Sequence, residues 1–335
     1  MNDSPTTRPL TVNRALTAET ARLRATSPTP RLDVEILLAH VLGTTRERLY
    51  AIPERQLTAD ERARLRALVG RRAHSEPVAY LTGRKAFRDI ELQMNEATLI
   101  PRPETETLVE VVLEKLKELE GPAGSAVIAE AAAATAPEPG EPAAPAPALP
   151  AVAAAAVGLH RRRTLSVLDI GTGSGAIALA IAHEHPTVHV VGTDVQYRAL
   201  EMARLNAARL GLSARVEFLV SDLYDDLPPG ALFDVIVCNP PYIADGDLAD
   251  TPRDVHRFEP HMALLGGAAG MDFYHRLVPA APPFLRTGGW LALEIAEDKA
   301  SEVRAVFEEC HRYAPIEVHN DLGGDPRVVA GRERS

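Results

Sequence analysis

Residues 166–194 read SVLDIGTGSGAIALAIAHEHPTVHVVGTD, and the order of their parts decides the fold. Ser166–Ile170 is a short apolar run. It passes into Gly171-Thr172-Gly173-Ser174-Gly175, then into an apolar helical stretch from about Ala176, and then into a second apolar run at 188–193 that ends on Asp194. A strand, a glycine loop, a helix and another strand form a unit whose two strands run parallel. The alternation continues outward. Leu200, Ala203, Ala207 and Leu210 mark the next helix, while Val216–Val220, Phe233–Cys238 and 290–295 read as further strands. Strands alternating with helices predict a parallel sheet wound on both faces.

The carboxyl end breaks this rule. Residues 316–319 and 327–329 flank Leu322-Gly323-Gly324-Asp325-Pro326, which is a hairpin signal. The expectation is therefore an α/β fold, doubly wound, with a mostly parallel seven-stranded sheet and an antiparallel terminal hairpin. That arrangement resembles the class I methyltransferase fold rather than a dinucleotide dehydrogenase.

Residues 1–75 are expected to form a small helical domain with no catalytic cluster. Leu32, Ile36, Ala39 and Gly43 recur at helical spacing within a helix greasy on most sides, which places it centrally. Thr58 followed by Glu61 has the capping-box pattern, ahead of an apolar face of Leu65, Leu68 and Val69. Residues 76–100 read as a linker with short strands from Tyr80 onward and a turn at Gly83. A domain over 101–335 then begins with IPRPETETLVE, in which Pro103 suits the first turn of a helix. Glu104 and Glu106 sit at the positive end of its dipole, and Leu108, Val112, Leu116 and Leu119 continue it to Gly121. Residues 121–160, almost wholly alanine, proline, glycine and glutamate, read as a flexible insertion without large side chains to bury.

With 46% apolar and 24% charged residues in a chain of 335, the balance is that of a globular protein large enough for two domains. A net charge of −10 argues against stable nucleic-acid binding, which needs a clustered basic surface; Arg161, Arg162 and Arg163 read as a solvated linker end. No apolar run approaches bilayer length. Only two cysteines and a polar amino terminus without an apolar signal core favour a reducing, cytoplasmic location. His183 and His185 lie two apart near a helix end and suggest no metal site.

The glycine loop is spaced G-x-G-x-G, without the extra residue of dinucleotide sites, and suits a ligand lacking a pyrophosphate. Gly171, Thr172, Gly173, Ser174 and Gly175 are its expected contacts. Asp194, about twenty residues on at the end of the next strand, can hold both hydroxyls of a ribose. Asp222, after the following strand, can accept from an adenine amino group, with the Leu223 backbone beside it.

The fourth strand runs into Asn239-Pro240-Pro241-Tyr242. Two prolines remove two backbone donors and stiffen the turn, leaving carbonyl oxygens at the edge of the sheet where such folds bind ligands. The Asn239 side-chain oxygen and the Pro240 carbonyl can both accept from one NH2 group, and Tyr242 supplies a flat wall. Cys238, just before, reads as a buried core thiol. An amide nitrogen is a poor nucleophile because its lone pair is conjugated, as a rotation barrier of about 18–20 kcal/mol attests. Two fixed acceptors favour a pyramidal nitrogen as it becomes positive. Alignment with a methyl sulfonium can contribute roughly 7–11 kcal/mol. Asn239, Pro240 and Tyr242 are the expected catalytic residues, with Asn239 also bordering the cofactor.

At these residues the chain resembles the release-factor glutamine N5-methyltransferases, the PrmC or HemK type. The resemblance spans nearly everything outside 1–10 and 121–160. Asn239-Pro240-Pro241-Tyr242 is shared with adenine amino-methyltransferases; more specific are Arg31-Leu32-Asp33-Val34-Glu35, Glu76-Pro77-Val78-Ala79-Tyr80-Leu81-Thr82-Gly83 and Ile100-Pro101-Arg102-Pro103-Glu104-Thr105-Glu106. Glu259-Pro260, Gly266-Gly267 and Asp272 resemble later family segments. The resemblance implies S-adenosylmethionine as cofactor, a peptide-chain release factor docked by the helical domain, and its Gly-Gly-Gln glutamine as target. It implies substrate contacts at Asn239, Pro240, Pro241, Tyr242, Phe87 and Arg102. Arg88 and Leu223 stand where relatives often have tryptophan.

Two other readings remain at this point. An adenine-N6 methyltransferase shares the fold and the Asn239 motif, because a flipped base presents a similar NH2; the acidic balance and the lack of a basic, aromatic recognition domain count against it. A non-catalytic adaptor that keeps the cofactor pocket is opposed by the intact motif.

Overall fold

The computed structural model describes residues 10–121 and 164–334. Most of the alanine- and proline-rich segment and Arg161, Arg162 and Arg163 lie outside the described residues.

The strands are β1 (Arg84–Phe87), β2 (Ile90–Gln93), β3 (Ser166–Ile170), β4 (His189–Asp194), β5 (Val216–Val220), β6 (Phe233–Cys238), β7 (Leu285–Glu294), β8 (Tyr313–Asn320) and β9 (Pro326–Glu333). The first two form a small sheet of their own, and the other seven are ordered β5-β4-β3-β6-β7-β9-β8. All neighbours from β5 to β7 are parallel, and β9 is antiparallel to both β7 and β8. This is the mixed sheet expected from the sequence. The chain moves outward from β3 to β5 and then returns to β6 on the other side of β3. The carboxyl ends of β3 and β6 therefore flank the topological switch point, where open α/β sheets bind ligands.

The pleat sorts the strand residues onto two faces. Leu168, Ile170, Ile236, Cys238, Leu291 and Leu293 join one core with Tyr274, Leu277 and Val278 of α10 (Asp272–Ala280) and Val303 and Phe307 of α11 (Ala300–Cys310). On the other face lie α6 (Thr105–Glu120), α7 (Ala176–Glu184) and α8 (Tyr197–Arg209); there the buried Lys115 ammonium sits 4.4 Å from the centre of the Trp290 ring. The α6 helix begins two residues later than Pro103 suggests. Pro103 lies in a preceding turn, Glu104 is the cap residue, and Thr105 is the first helical residue.

The helical unit comprises the described residues up to 84 together with 94–96 and 249–259, and the sheet unit takes the rest. The division is thus not linear in sequence, and the 85–93 hairpin groups with the sheet unit. The helical unit contains α1 (Val12–Leu23), α2 (Pro30–Leu42), α3 (Arg46–Ala51), α4 (Ala59–Ala73), α5 (Val78–Thr82) and α9 (Arg253–Phe258). α2 is central, packed on α1, α3, α4 and α5. Its buried apolar residues are Val34, Leu37, Leu38, Ala39 and Val41, whereas Leu32 is exposed and Gly43 is the left-handed cap. The expected stripe is therefore one step out of phase. The cause is visible in the partners of its two carboxylates. Asp33 accepts from Ser27, Thr29 and the buried Arg72, and Glu35 pairs with Arg31, Arg46 and Tyr50, so polar residues occupy part of the inward face. The Thr58–Glu61 capping box is formed, and Leu65 and Val69 are buried behind it. Tyr80 lies in α5 rather than a strand, with Gly83 as its left-handed cap.

Candidate active site

Four parallel strands deliver their carboxyl ends to one edge of the sheet: Ile170, Asp194, Val220 and Cys238. The glycine loop leaves β3 with Gly171, Gly173 and Gly175 all at positive φ. Gly175 sits at φ 83, which L side chains rarely adopt, and a Cβ there would crowd Leu179 Cδ1 at 2.9 Å and Ala203 Cβ at 3.3 Å. The loop is pinned from below. Thr172 N–H donates to the Thr193 carbonyl, and Thr172 Oγ1 donates to Asp169 at 2.6 Å. Asp169 also accepts from Ala178 N–H, and its buried Oδ1 has no protein partner among the described residues. Burial pushes this carboxyl up to about 7, with the Asp194 charge adding to the effect.

This geometry refines the expected contacts. Thr172 and Ser174 are buried, and the Thr172 hydroxyl is committed to Asp169, so the two side chains brace the loop from inside. A Cβ at Gly171 would point into open space, and one at Gly173 would meet only the Gly171 carbonyl at 3.9 Å. The loop thus offers a concave, side-chain-free surface of backbone. Beside it, Asp194 accepts from Gly173 N–H through Oδ2 (3.0 Å) and from Gln196 N–H through Oδ1 (2.8 Å). Each oxygen keeps a further lone pair, so the pair can still accept two ribose hydroxyls. Desolvation raises the Asp194 pKa, which marks a carboxylate short of water and receptive to donors. Asp222 lies two residues past β5, and its Oδ2 accepts from Arg276 at 2.9 Å. Leu223 follows at φ 52, buried. These residues suit a nucleoside carrying no pyrophosphate.

On the other side of the switch point, Asn239 follows β6. Its Nδ2 donates to Thr105 Oγ1 at 3.2 Å, while its Oδ1 accepts no hydrogen bond among the described residues. The Glu294 carboxyl lies beside the Thr105 and Asn239 side chains, which favour its charged form, while burial pushes it up to about 7. Pro240 is buried; Pro241 and Tyr242 are half-buried. Burial pushes the Tyr242 phenol up to about 12, so it stays protonated near neutrality. The segment after it is clamped: Ile243 N–H donates to the Leu264 carbonyl, Gly266 N–H to the Ile243 carbonyl, and Asp245 N–H to the Gly267 carbonyl. A Cβ on Gly266 would lie 2.4 Å from the Pro241 carbonyl oxygen, which gives a steric reason for the glycine pair read in the sequence.

Two expected substrate residues divide. Arg102 is close enough to act electrostatically on Tyr242. Phe87 is 1% exposed at the end of β1 and offers no surface to a substrate; it is a packing residue. Its neighbour Arg88 turns to positive φ and pairs with Glu184 and Glu110, tying the small hairpin to α7 and α6. An ionic anchor thus occupies the position next to Phe87. Sequence reasoning gave no role to Glu294, nor to Thr105 beyond its place in the segment Ile100–Glu106. The available signal was a lone carboxylate ending the otherwise apolar run Trp290-Leu291-Ala292-Leu293-Glu294.

A doubly wound sheet with an antiparallel hairpin, a G-x-G-x-G loop and an acidic residue ending the second strand defines a class I methyltransferase that uses S-adenosylmethionine. Comparison with known proteins narrows this. Residues 14–83 match the PrmC N-terminal domain family and residues 155–257 the Methyltransferase small domain. Proteins named release factor glutamine methyltransferase match along almost their whole length. The one from Koribacter versatilis is 38% identical, with 97% of this chain and 99% of that protein covered. The one from Rhodopirellula baltica is 36% identical, with 96% of each covered. The chain belongs to the release factor glutamine methyltransferase family.

Proposed function

We propose that the protein transfers a methyl group from S-adenosylmethionine to the side-chain amide nitrogen (N5) of a glutamine, that of the Gly-Gly-Gln loop of a peptide-chain release factor, in the cytoplasm. The observation that carries this reading is the Asn239 amide at the switch point. Its NH2 group donates to Thr105, and its oxygen is left to accept. A substrate NH2 bound there donates to Asn239 Oδ1 and to the Pro240 carbonyl. Those acceptors stabilise positive charge as it develops on nitrogen. The bound cofactor supplies an electrophilic methyl on a sulfonium. Tyr242 walls the site, and the stiff Pro240-Pro241 turn holds both acceptors in place. The proton leaves the methylated nitrogen afterwards to water, so no strong base is needed.

The helical unit is proposed to dock the release factor, and Asp194, Asp222 and the loop backbone to hold the nucleoside. Both cysteines, Cys238 and Cys310, are unpaired, as a reducing compartment keeps them. No helix among the described residues is long and apolar enough to cross a membrane. The test is to incubate the protein with labelled S-adenosylmethionine and, separately, a release factor, the same factor with its loop glutamine replaced by alanine, and DNA. Label in the first alone is expected; label in DNA instead would overturn the substrate assignment.

A further inference from the structure

Register and pleat bring together three side chains that lie far apart in sequence. Cys238 pairs with Leu293, so the next residues, Asn239 and Glu294, are neighbours past the last paired rung of β6 and β7. Leu291 and Leu293 face the α10–α11 core, so Glu294 faces the side covered by α6, whose first residue is Thr105. There Asn239 Nδ2 donates to Thr105 Oγ1, and the Glu294 carboxyl lies beside both, which favour its charged form. Thr105 and Glu294 are 3% and 1% exposed, so water does not compete for this bond. Glu294 Oε2 has no hydrogen-bond partner among the described residues.

We propose that Thr105 and Glu294 are positioning residues that fix the orientation of the Asn239 amide, and so decide which end of it meets the substrate. The proposal rests on the functional reading above. An asparagine amide is nearly symmetric in shape, and a rotation of 180° would exchange acceptor for donor. A donor facing the substrate NH2 would repel it and remove one of its two acceptors. Thr105 Oγ1 accepts one Asn239 N–H at 3.2 Å, and the Glu294 carboxyl lies beside both side chains, which favour its charged form. The flipped amide would set its oxygen against the Glu294 carboxyl and leave Thr105 without its donor. Buried groups left unpaired in this way carry a desolvation penalty. The amide is thereby locked with Oδ1 outward before substrate arrives.

The other groups electrostatically coupled to Glu294 are Arg327, which opposes its protonation, and Glu104, which favours it. Tyr274 donates to the Glu294 backbone carbonyl rather than to its carboxyl, and Cys238 and Tyr242 are kept neutral by burial. None of these offers the Asn239 amide a substitute partner.

The experiment is a double-mutant cycle on the full chain, read as turnover of release factor with saturating cofactor. Thr105→Val keeps the shape but removes the hydroxyl. Turnover is expected to fall on the order of 100-fold, the scale of a small misplacement of a reacting group. KM for the factor and cofactor affinity should change less than about threefold, with Thr105→Ser restoring most of the rate. In an Asn239→Ala background the Thr105→Val change should have no further effect, because its only route to the substrate is gone. An undiminished Thr105→Val effect in that background, or full turnover of Thr105→Val by itself, overturns the proposal. If Thr105→Val does not fold, Glu294→Leu takes its place in the same cycle. Failure of the wild-type protein to label the factor would strike the functional reading instead, so the two failures are distinguishable.

Discussion

Asp194 uses one lone pair of each carboxylate oxygen on the Gly173 and Gln196 N–H groups, which leaves one on each for the diol it is proposed to bind. Asp194→Ala should weaken S-adenosylmethionine binding by about 1.5–3 kcal/mol, the scale of charged hydrogen bonds; unchanged affinity by calorimetry in a folded variant would remove Asp194 from the site. Asn239→Ala should lower turnover roughly 100- to 1,000-fold, about 3–4 kcal/mol, with cofactor affinity nearly constant. Near-normal methylation of the loop glutamine by that variant would refute the mechanism. Asp169 and Glu294 make a separate prediction through their protonation. Burial raises both to about 7, above ordinary values of 3.8 and 4.5. The folded state therefore holds protons that the unfolded chain releases. Their stabilising contribution is complete below about pH 4 and is lost as pH rises to about 7. In the cofactor-free protein, Glu294→Gln should gain stability relative to wild type as pH rises across that window. A flat difference in denaturation midpoints from pH 4.5 to 7.5 would show that Glu294 does not titrate there. Asp194 and Asn239 were legible in the sequence because each ends a strand next to a local motif. Glu294 and Thr105 were not, because strand register and the pleat set their meeting.

Elements explain what the motif residues are for. The turn after β6 is held by the segment from Leu264 to Asp272, which bonds back to Ile243 and Asp245 and approaches Pro241 and Tyr242 at backbone distance. A methyl group on Gly266 meets backbone atoms, which cannot step aside as a flexible side chain would. Gly266→Ala should therefore displace the Pro240-Pro241 turn and lower turnover on the order of tenfold to 100-fold. Cofactor affinity should hold, since Asp194 and the glycine loop belong to other strands. Equal turnover in the variant would mean that the clamp does not position the turn. The β–α alternation was readable because buried parallel strands are short apolar runs bounded by loops. The face of α2 was misread by one step because apolar periodicity gives no place to a buried carboxylate that has found its partners. The start of α6 was misplaced for a related reason: Pro103 has a backbone suited to a first turn, but the chain uses it one turn earlier.

At the scale of the whole molecule, the helical unit gathers residues from three stretches of the chain, and one buried ion pair shows how. Arg72 of α4 donates to Asp33 of α2 at 2.6 Å, to the Glu76 carbonyl at 3.3 Å and to Asp254 of α9 at 3.3 Å. Asp33 in turn accepts from Ser27 and Thr29, so its charge is fully surrounded by donors. Linear reading could not assign α9 to this unit, because nothing local in 249–259 reports a partner almost two hundred residues away. Removing one member of a buried pair strands the other in a low-dielectric interior and typically costs about 3–5 kcal/mol. Arg72→Met should therefore destabilise the helical unit by about that amount, while Asp33→Asn, which keeps shape and an acceptor, should cost less. If this unit docks the release factor, Arg72→Met should also reduce kcat/KM for the factor far more than it reduces cofactor affinity, because the ligands proposed for the cofactor all belong to the sheet unit. The decisive comparison is cofactor binding by calorimetry beside methylation at limiting factor. Parallel losses in both would mean that the two units do not divide the work in this way. A loss confined to kcat/KM would assign substrate capture to the helices and chemistry to the sheet edge.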